Sequence, residues 1–445
     1  MSRMAMSEYE LSSTCVPACP VDVAACGIPQ RVLEDLVLKH LHPRGSAPLD
    51  VLSREMRLPV SVMSDLVATL QSQEFVEPAR GLSGVGTPAG EPQAHLALTA
   101  SGRNRACDAF SVSRYLGPAP VCIADYVEQC RKQQLDGTGI SQEELYSAMT
   151  GVSLDESTLT DLQLALGAGG SLLLTGQSGN GKTLLASRLG QLIEQSSEEV
   201  YVPYALWVDE GFLRVFDPSV HRPLDEMSPL DTTDWAPTMD ARWRRVRRPV
   251  ITVSTELSRD SFEIRSTSAG GTLVAPFQVL ANGGLLVVDD LGRQVAPFVD
   301  LMNRFLLPLE QKIDSLTLPS GRRLNLPVDA WLVLVAGDDA PALPVPVDRR
   351  IKCRLHLPVP DRDRFATLLY EAGRRSRIEV DEAGVEELFT QCYSPQNPPK
   401  CSDPQNLLQA VESICRIQKE TVRARADLLL SAAKRLGMDR ERRAA

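Results

Sequence analysis

Long hydrophobic runs are missing from this chain. Its longest apolar stretches, such as Trp331 to Ala336, fall far short of the ~20 residues that a membrane-spanning helix needs. A surplus of positive charge is missing too. Lys and Arg number 47 against 57 Asp and Glu, a formal net charge of −10. That balance argues against tight, sequence-independent nucleic-acid binding by the whole molecule, although a local basic patch is still allowed. The opening residues carry Glu8 and Glu10 and have no basic-then-apolar start, so no secretory signal is expected and a cytoplasmic location is. The ten cysteines scatter without a framework and are expected as free thiols. Cys15, Cys19 and Cys26 have neither a nearby histidine nor a matching second pair, so they read as incidental rather than as zinc ligands. No internal repeat is found.

The rest of the composition is that of a globular protein, 43% hydrophobic and 23% charged. At 445 residues the chain exceeds one compact core, and two or three domains are expected. Residues 1–28 lack periodicity and read as a poorly ordered leader. Within residues 29–110, apolar positions at helical spacing mark a first helix (Val32, Leu33, Leu36, Val37, Leu41) and a short second one (Leu49, Val51, Leu52, Met56). A third follows through Val62, Met63, Leu66 and Leu70. The Gly- and Pro-rich stretch Gly81 to Gln93 and the alternating His95 to Thr99 complete the pattern of a winged helix-turn-helix. Such domains usually bind DNA, yet the presumed recognition helix, Ser61 to Glu74, has Asp65 and Glu74 and no Arg or Lys. Phosphate contacts and guanine readout both need cations there. Protein docking and DNA binding both stand as readings, with docking ahead. Residues 111–154 form a connector.

The most informative segment is Gly176-Gln177-Ser178-Gly179-Asn180-Gly181-Lys182-Thr183. In this pattern the glycines let backbone N–H groups turn inward around a polyphosphate. Lys182 reaches the outer phosphates, and the Thr183 hydroxyl ligates Mg2+. The buried-strand run Ser171 to Leu174 precedes it and a helix-periodic stretch from Thr183 to Gln195 follows, placing the loop at a helix N-terminus, where the dipole favours anions. The second half of such a site is a buried strand ending in carboxylates, and Leu285 to Asp290 supplies one. Asp289 is expected to hold the metal, and Asp290 to orient or deprotonate the attacking water.

With these motifs in place, residues 155 to about 415 resemble the AAA+ superfamily of ATPases, and within it the MoxR-like branch, of the bacterial type with an N-terminal winged helix. Further matches are the amphipathic stretch Phe298 to Gln311, a hairpin around Ser320-Gly321, the Trp331 strand, and Asp348-Arg349-Arg350-Ile351. The resemblance implies an α/β P-loop core with a parallel sheet over residues 155–360. An α-helical lid is implied over residues 361–445. Within it, Arg416 to Arg443 reads from its own residues as a basic helix with apolar Leu428, Leu429, Leu430 and Leu436, a docking or exposed surface helix rather than a nucleic-acid arm. The resemblance also implies ATP with Mg2+ as ligands, a homo-oligomeric ring acting on a protein substrate or adaptor, and Arg349 and Arg350 as the finger presented across a subunit boundary. The chain departs from the family at Asp290, where Glu is usual, at Asp338, where a neutral polar residue is usual, and at Gln405, where relatives place an arginine. The expectation is therefore an ATP-binding remodelling or assembly ATPase with slow hydrolysis. The alternatives are a DNA-binding regulator or loader, and a nucleotide-gated switch with little hydrolysis. Arg242, Arg244, Arg245, Arg247 and Arg248 read equally as a phosphate grip or pore lining, or as a solvated strand edge pairing with Asp225, Glu226, Asp231 and Asp234.

Overall fold

Strands written as unbroken apolar runs can be covered on both faces, and parallel strands need that cover. In this chain such runs supply the three inner strands of one five-stranded parallel sheet, and the two edge strands alternate buried apolar residues with exposed ones. Its spatial order is Cys353–Leu357, Ser171–Gly176, Trp331–Ala336, Leu285–Leu291 and Val250–Val253. The computed structural model describes the chain apart from residues 1–14, 80–94, 136–139, 150–151, 153, 197, 209–210, 225–238, 268–269, 395 and 439–445. From the Ser171–Gly176 strand the chain travels to the far edge at Val250. It then returns strand by strand and finally crosses to the other side at Cys353. That reversal opens a crevice beyond the carboxyl end of Ser171–Gly176, where open α/β sheets bind ligands.

Leu185, Leu189 and Ile193, on the helix that follows the loop, pack on one face of the sheet with Leu162 and Leu166 of Glu156–Ala168. Between Glu199 and Val274 the core is enlarged by short strands, among them the Ala205–Val208/Gly211–Arg214 hairpin, and their apolar residues cover the other face. The expected hairpin is present as Ile313–Thr317 against Arg323–Pro327. The amphipathic stretch before it is two helices, Phe298–Arg304 and Leu306–Gln311, rather than one.

The amino-terminal unit contains helices Gln30–Arg44, Leu49–Met56 and Val60–Ser72, then Ala100–Val112, around a three-stranded antiparallel sheet. The expected wing tip, Gly81 to Gln93, lies outside the described residues. This unit is bolted to the core. Tyr115 stacks on Phe212 at 4.5 Å, Val121 N–H donates to Ala205, and Arg114 N–H donates to Gly270.

Residues 15–28 correct the leader reading. Cys26 is fully buried, Gln129 Nε2 donates to the Cys15 carbonyl at 2.6 Å, and Asp240 N–H donates to the Pro17 carbonyl. The contacts responsible lie more than a hundred residues away, so no local pattern announces them.

The carboxyl-terminal unit is helical, running from Arg362–Ser376, capped by Asp361, to Ala426–Arg435. The expected continuous basic helix is two. Asp403–Gln418 stops at Lys419, whose φ of +57° is left-handed, and the chain pairs Arg423–Ala424 with Glu379–Val380 before the last helix begins. Leu428 and Leu429, expected on an exposed docking face, are core residues of this unit.

Candidate functional site

Three glycines shape the loop. Gly176, Gly179 and Gly181 have φ of +141°, +90° and +87°, conformations that side chains with a Cβ rarely adopt. A Cβ on Gly176 would sit 2.6 Å from the Leu357 carbonyl oxygen, and one on Gly179 would sit 2.8 Å from Ser402 Oγ. The loop is thereby pinned on both sides. Asn180 Nδ2 donates to the Pro358 carbonyl at 3.2 Å, and Ser402 N–H donates to the Gly179 carbonyl at 3.0 Å. Lys182 opens the following helix, and its amine donates to the Gly176 and Gln177 carbonyls at 2.7 and 2.9 Å. Burial lowers the Lys182 pKa, opposed by Asp338, Asp289, Asp290 and Asp339.

The loop floors a cleft of about 400 Å³, within the size range of small-molecule sites. Ser178 to Thr183 line it, with Asp289 and Asp290 at the end of the apolar strand Leu285–Leu291, one strand removed from Ser171–Gly176 in the sheet. Asp289 is buried, and its Oδ1 accepts from Asp290 N–H at 2.8 Å. At Asp290 the strand breaks register with φ of +50°. Aspartate tolerates that left-handed conformation better than longer side chains do, because its short carboxylate can bond locally. This gives the aspartate found there, rather than the glutamate that the resemblance leads one to expect, a backbone reason.

Of the other expected residues, Gln405 lines the cleft and Asp338 does not; Gly337 and Asp339 do. Asp338 acts on the site by its charge on Lys182. Arg349 and Arg350 are not among the cleft residues. Arg350 pairs with Glu310 at 2.8 Å and lines a different cavity with Gly170 and Ser171, at the opposite end of the phosphate-loop strand. Arg349 is exposed.

Two cleft cations went unread in the sequence. Arg293 follows the acidic pair, and Arg375 joins Leu368 and Ala372 on one face of the first lid helix. The spacing of 368, 372 and 375 is that of a helix face, but only the fold shows that this face meets the loop.

The donors fit a nucleoside triphosphate with Mg2+. No cluster of three or more His, Cys, Asp or Glu able to hold a metal by themselves occurs among the described residues. Mg2+ commonly takes one or two protein ligands and completes its shell with phosphates and water, which suits the Thr183 hydroxyl and the Asp289 carboxylate.

Two members of the arginine-rich stretch, Arg242 and Arg248, are buried rather than lining a pore or a solvated edge, while Arg244, Arg245 and Arg247 lie on the Trp243–Arg247 strand. Arg242 is 2% exposed and forms a bidentate pair with Asp240, also 2% exposed. Its Nη1 donates to the Cys26 and Pro120 carbonyls, both at 3.1 Å. Arg248 is buried against Glu198 and the Gly283 carbonyl, and Arg245 pairs with Glu199. The acidic stretch from Asp225 to Asp234 lies outside the described residues.

A family model described as a domain of unknown function (DUF8689) matches residues 361–435, the span of the helical unit. No curated protein matches the chain. Among solved structures it is similar to a variant of Thermotoga maritima RuvB, at 13% identity and a TM-score of 0.36, covering 67% of this chain and 72% of that one. It is also similar to the Thermotoga maritima RuvB Holliday junction branch migration motor, at 14% identity and a TM-score of 0.35, covering 63% and 69%. No helix among the described residues is long and apolar enough to cross a membrane.

Proposed function

We propose that this protein is an ATP-binding AAA+ protein, a remodelling or assembly ATPase of the MoxR-like type that works as a homo-oligomeric ring with slow hydrolysis. One observation carries the reading. A glycine-shaped phosphate loop, two carboxylates from another strand of the same sheet and the inner face of a helical lid converge on a single cleft.

The geometry supports the following roles. Backbone N–H groups of Ser178 to Gly181 and the dipole of the following helix receive the phosphates. Lys182 trades its carbonyl partners for the outer phosphates, which are stronger acceptors. Thr183 and Asp289 would hold Mg2+, which shields charge between the outer phosphates. Asp290 orients the attacking water, and its reach is one methylene shorter than that of glutamate. With Asp338 and Asp339 close enough to act on Lys182, like charges crowd the place where phosphate charge develops, which is why slow turnover is expected. The distance of Arg349 and Arg350 from their own chain's cleft favours action on a neighbour's nucleotide.

The DNA-binding alternative finds little charge to use. Helix Val60–Ser72 has no cation, and Arg44, Arg54 and Arg105 of the same unit pair with Glu55, Asp50 and Glu34. The amino-terminal unit is better suited to hold a protein substrate or adaptor.

The test is ATP-dependent thermal stabilisation of the full chain together with steady-state phosphate release. Wild type should gain stability with ATP and Mg2+, and Lys182→Ala should not. Equal stabilisation of the two proteins would overturn the site assignment.

A further inference from the structure

Asp290 ends the apolar strand, and the turn after it is held from several sides. Gln294 Nε2 donates to the Asp289 and Asp290 carbonyls at 2.9 and 3.0 Å, while its Oε1 accepts from Gly292 N–H at 2.8 Å. Val295 N–H donates to Thr255, and a Cβ on Gly292, whose φ is +93°, would meet Pro341 Cδ at 2.4 Å. The base of Arg293 is thus fixed against the strands on either side, whereas its side chain is 55% exposed and lines the cleft. That guanidinium bridges two carboxylates, Asp339 Oδ2 at 3.0 Å and Asp290 Oδ1 at 3.8 Å. One cation therefore joins two acids that line the cleft, one of them the proposed water-orienting group.

A terminal phosphate competes for the same donors. The guanidinium fork matches phosphate as well as carboxylate, and a phosphate presents more charge and more acceptor oxygens than one carboxylate. The half-exposed carboxylates hold Arg293 only weakly, because solvent screens the pair. We propose that Arg293 is the residue by which this cleft tells a triphosphate from a diphosphate. The third phosphate draws the guanidinium from Asp339 and Asp290, and Asp290 is then free to meet the water. Asp339 is the counterweight that sets how readily this exchange occurs. The proposal rests on the nucleotide-site reading above and adds to it a positioning residue and a form of regulation.

The experiment measures the affinity of the full chain, with Mg2+, for ADP and for a non-hydrolysable ATP analogue. Arg293→Ala should weaken the analogue roughly tenfold or more and leave ADP within about twofold, the scale of one charge-assisted hydrogen-bond pair. Arg293→Lys, which keeps charge but loses the fork, should fall between. Asp339→Asn should act in the opposite direction and tighten the analogue relative to ADP. In the double variant Arg293→Ala/Asp339→Asn that gain should vanish, because Asp339 acts through Arg293. Equal weakening of both nucleotides by Arg293→Ala, or a gain from Asp339→Asn that survives without Arg293, would overturn the proposal and leave the phosphate-loop assignment standing. Wild-type protein that binds neither nucleotide would overturn both.

Discussion

Replacing Arg242 with methionine asks whether the arginine-rich stretch is a buried bolt or a working surface. The substitution nearly preserves the length of the aliphatic stem and removes the guanidinium. Three consequences follow from the geometry. Asp240, 2% exposed, loses its bidentate partner. The Cys26 and Pro120 carbonyls lose the donor they share. The amino-terminal segment then has one fewer tie to the core. Stripping one partner from a buried ion pair costs about 3–5 kcal/mol, because the remaining charge has no water to turn to. The two orphaned carbonyls keep the cost toward the upper part of that range. Removing both charges, as in Arg242→Met/Asp240→Leu, should restore at least ~2 kcal/mol of the loss, since an apolar pair leaves no stranded charge. Urea unfolding of the full chain by circular dichroism reads the stability, and limited proteolysis reads whether residues 15–28 come loose. A loss below about 1 kcal/mol for Arg242→Met, with no recovery in the double variant, would refute the reasoning, because a solvated arginine behaves that way.

Lys39 gives a pH signature. Burial lowers its pKa to about 8, against only a coulombic contribution from Asp35, while its amine donates to the Ser113 carbonyl between the Phe110 and Phe212 rings. Between that value and the unfolded value near ~10.4, the unfolded chain binds more protons, so this group makes stability rise with pH across the interval. Below about pH 8 both states are protonated and the penalty is fully present. Lys39→Met should flatten that portion of the wild-type stability profile, as read by denaturation between pH 7.5 and 10.5; an unchanged slope would show that Lys39 is not the group responsible. Arg349→Ala should leave ATP affinity within about twofold while lowering phosphate release, and mixing with Lys182→Ala subunits, which retain Arg349, should restore part of the rate if the residue acts across a boundary. Recovery failing in light-scattering-verified oligomers would count against action in trans. Asp290→Glu should raise phosphate release through its longer reach and cost about 1 kcal/mol of stability, since glutamate is less at ease at a left-handed position; slower release would mean that aspartate is fitted to this site.

The sequence could show what is contiguous. Gly176 to Thr183 and the Leu285 to Asp290 run are local patterns whose residue types already state a chemistry, and the helical periodicity of the amino-terminal unit is equally local. Arg375 and Ser402 reach the loop from about two hundred residues away, and nothing in their own neighbourhoods points there. Arg242 misled for the opposite reason. Five arginines in seven residues look solvated, and only the fold shows that Asp240, two positions earlier, makes a buried guanidinium tolerable. The last helix was misread because the break at Lys419 is a left-handed residue without a glycine to announce it.

The stack of Tyr115 on Phe212 and the Val121–Ala205 hydrogen bond bear on how this chain can be dismantled. Phe212 and Ala205 belong to a hairpin threaded into the middle of the sequence, yet they complete the apolar interior of the amino-terminal unit. The boundary near residue 110 is therefore a seam in the sequence and not a seam in the solid. A fragment ending there loses the Ser113 carbonyl that accepts from Lys39, and with it the Phe212 ring above that amine. It also exposes the apolar patch that the hairpin had sealed. Such a piece should melt earlier than the same residues do within the whole chain, by circular dichroism, and the whole chain should lose both parts in one cooperative step. Any partner that grips the amino-terminal unit would then pull directly on the body that holds the phosphate loop.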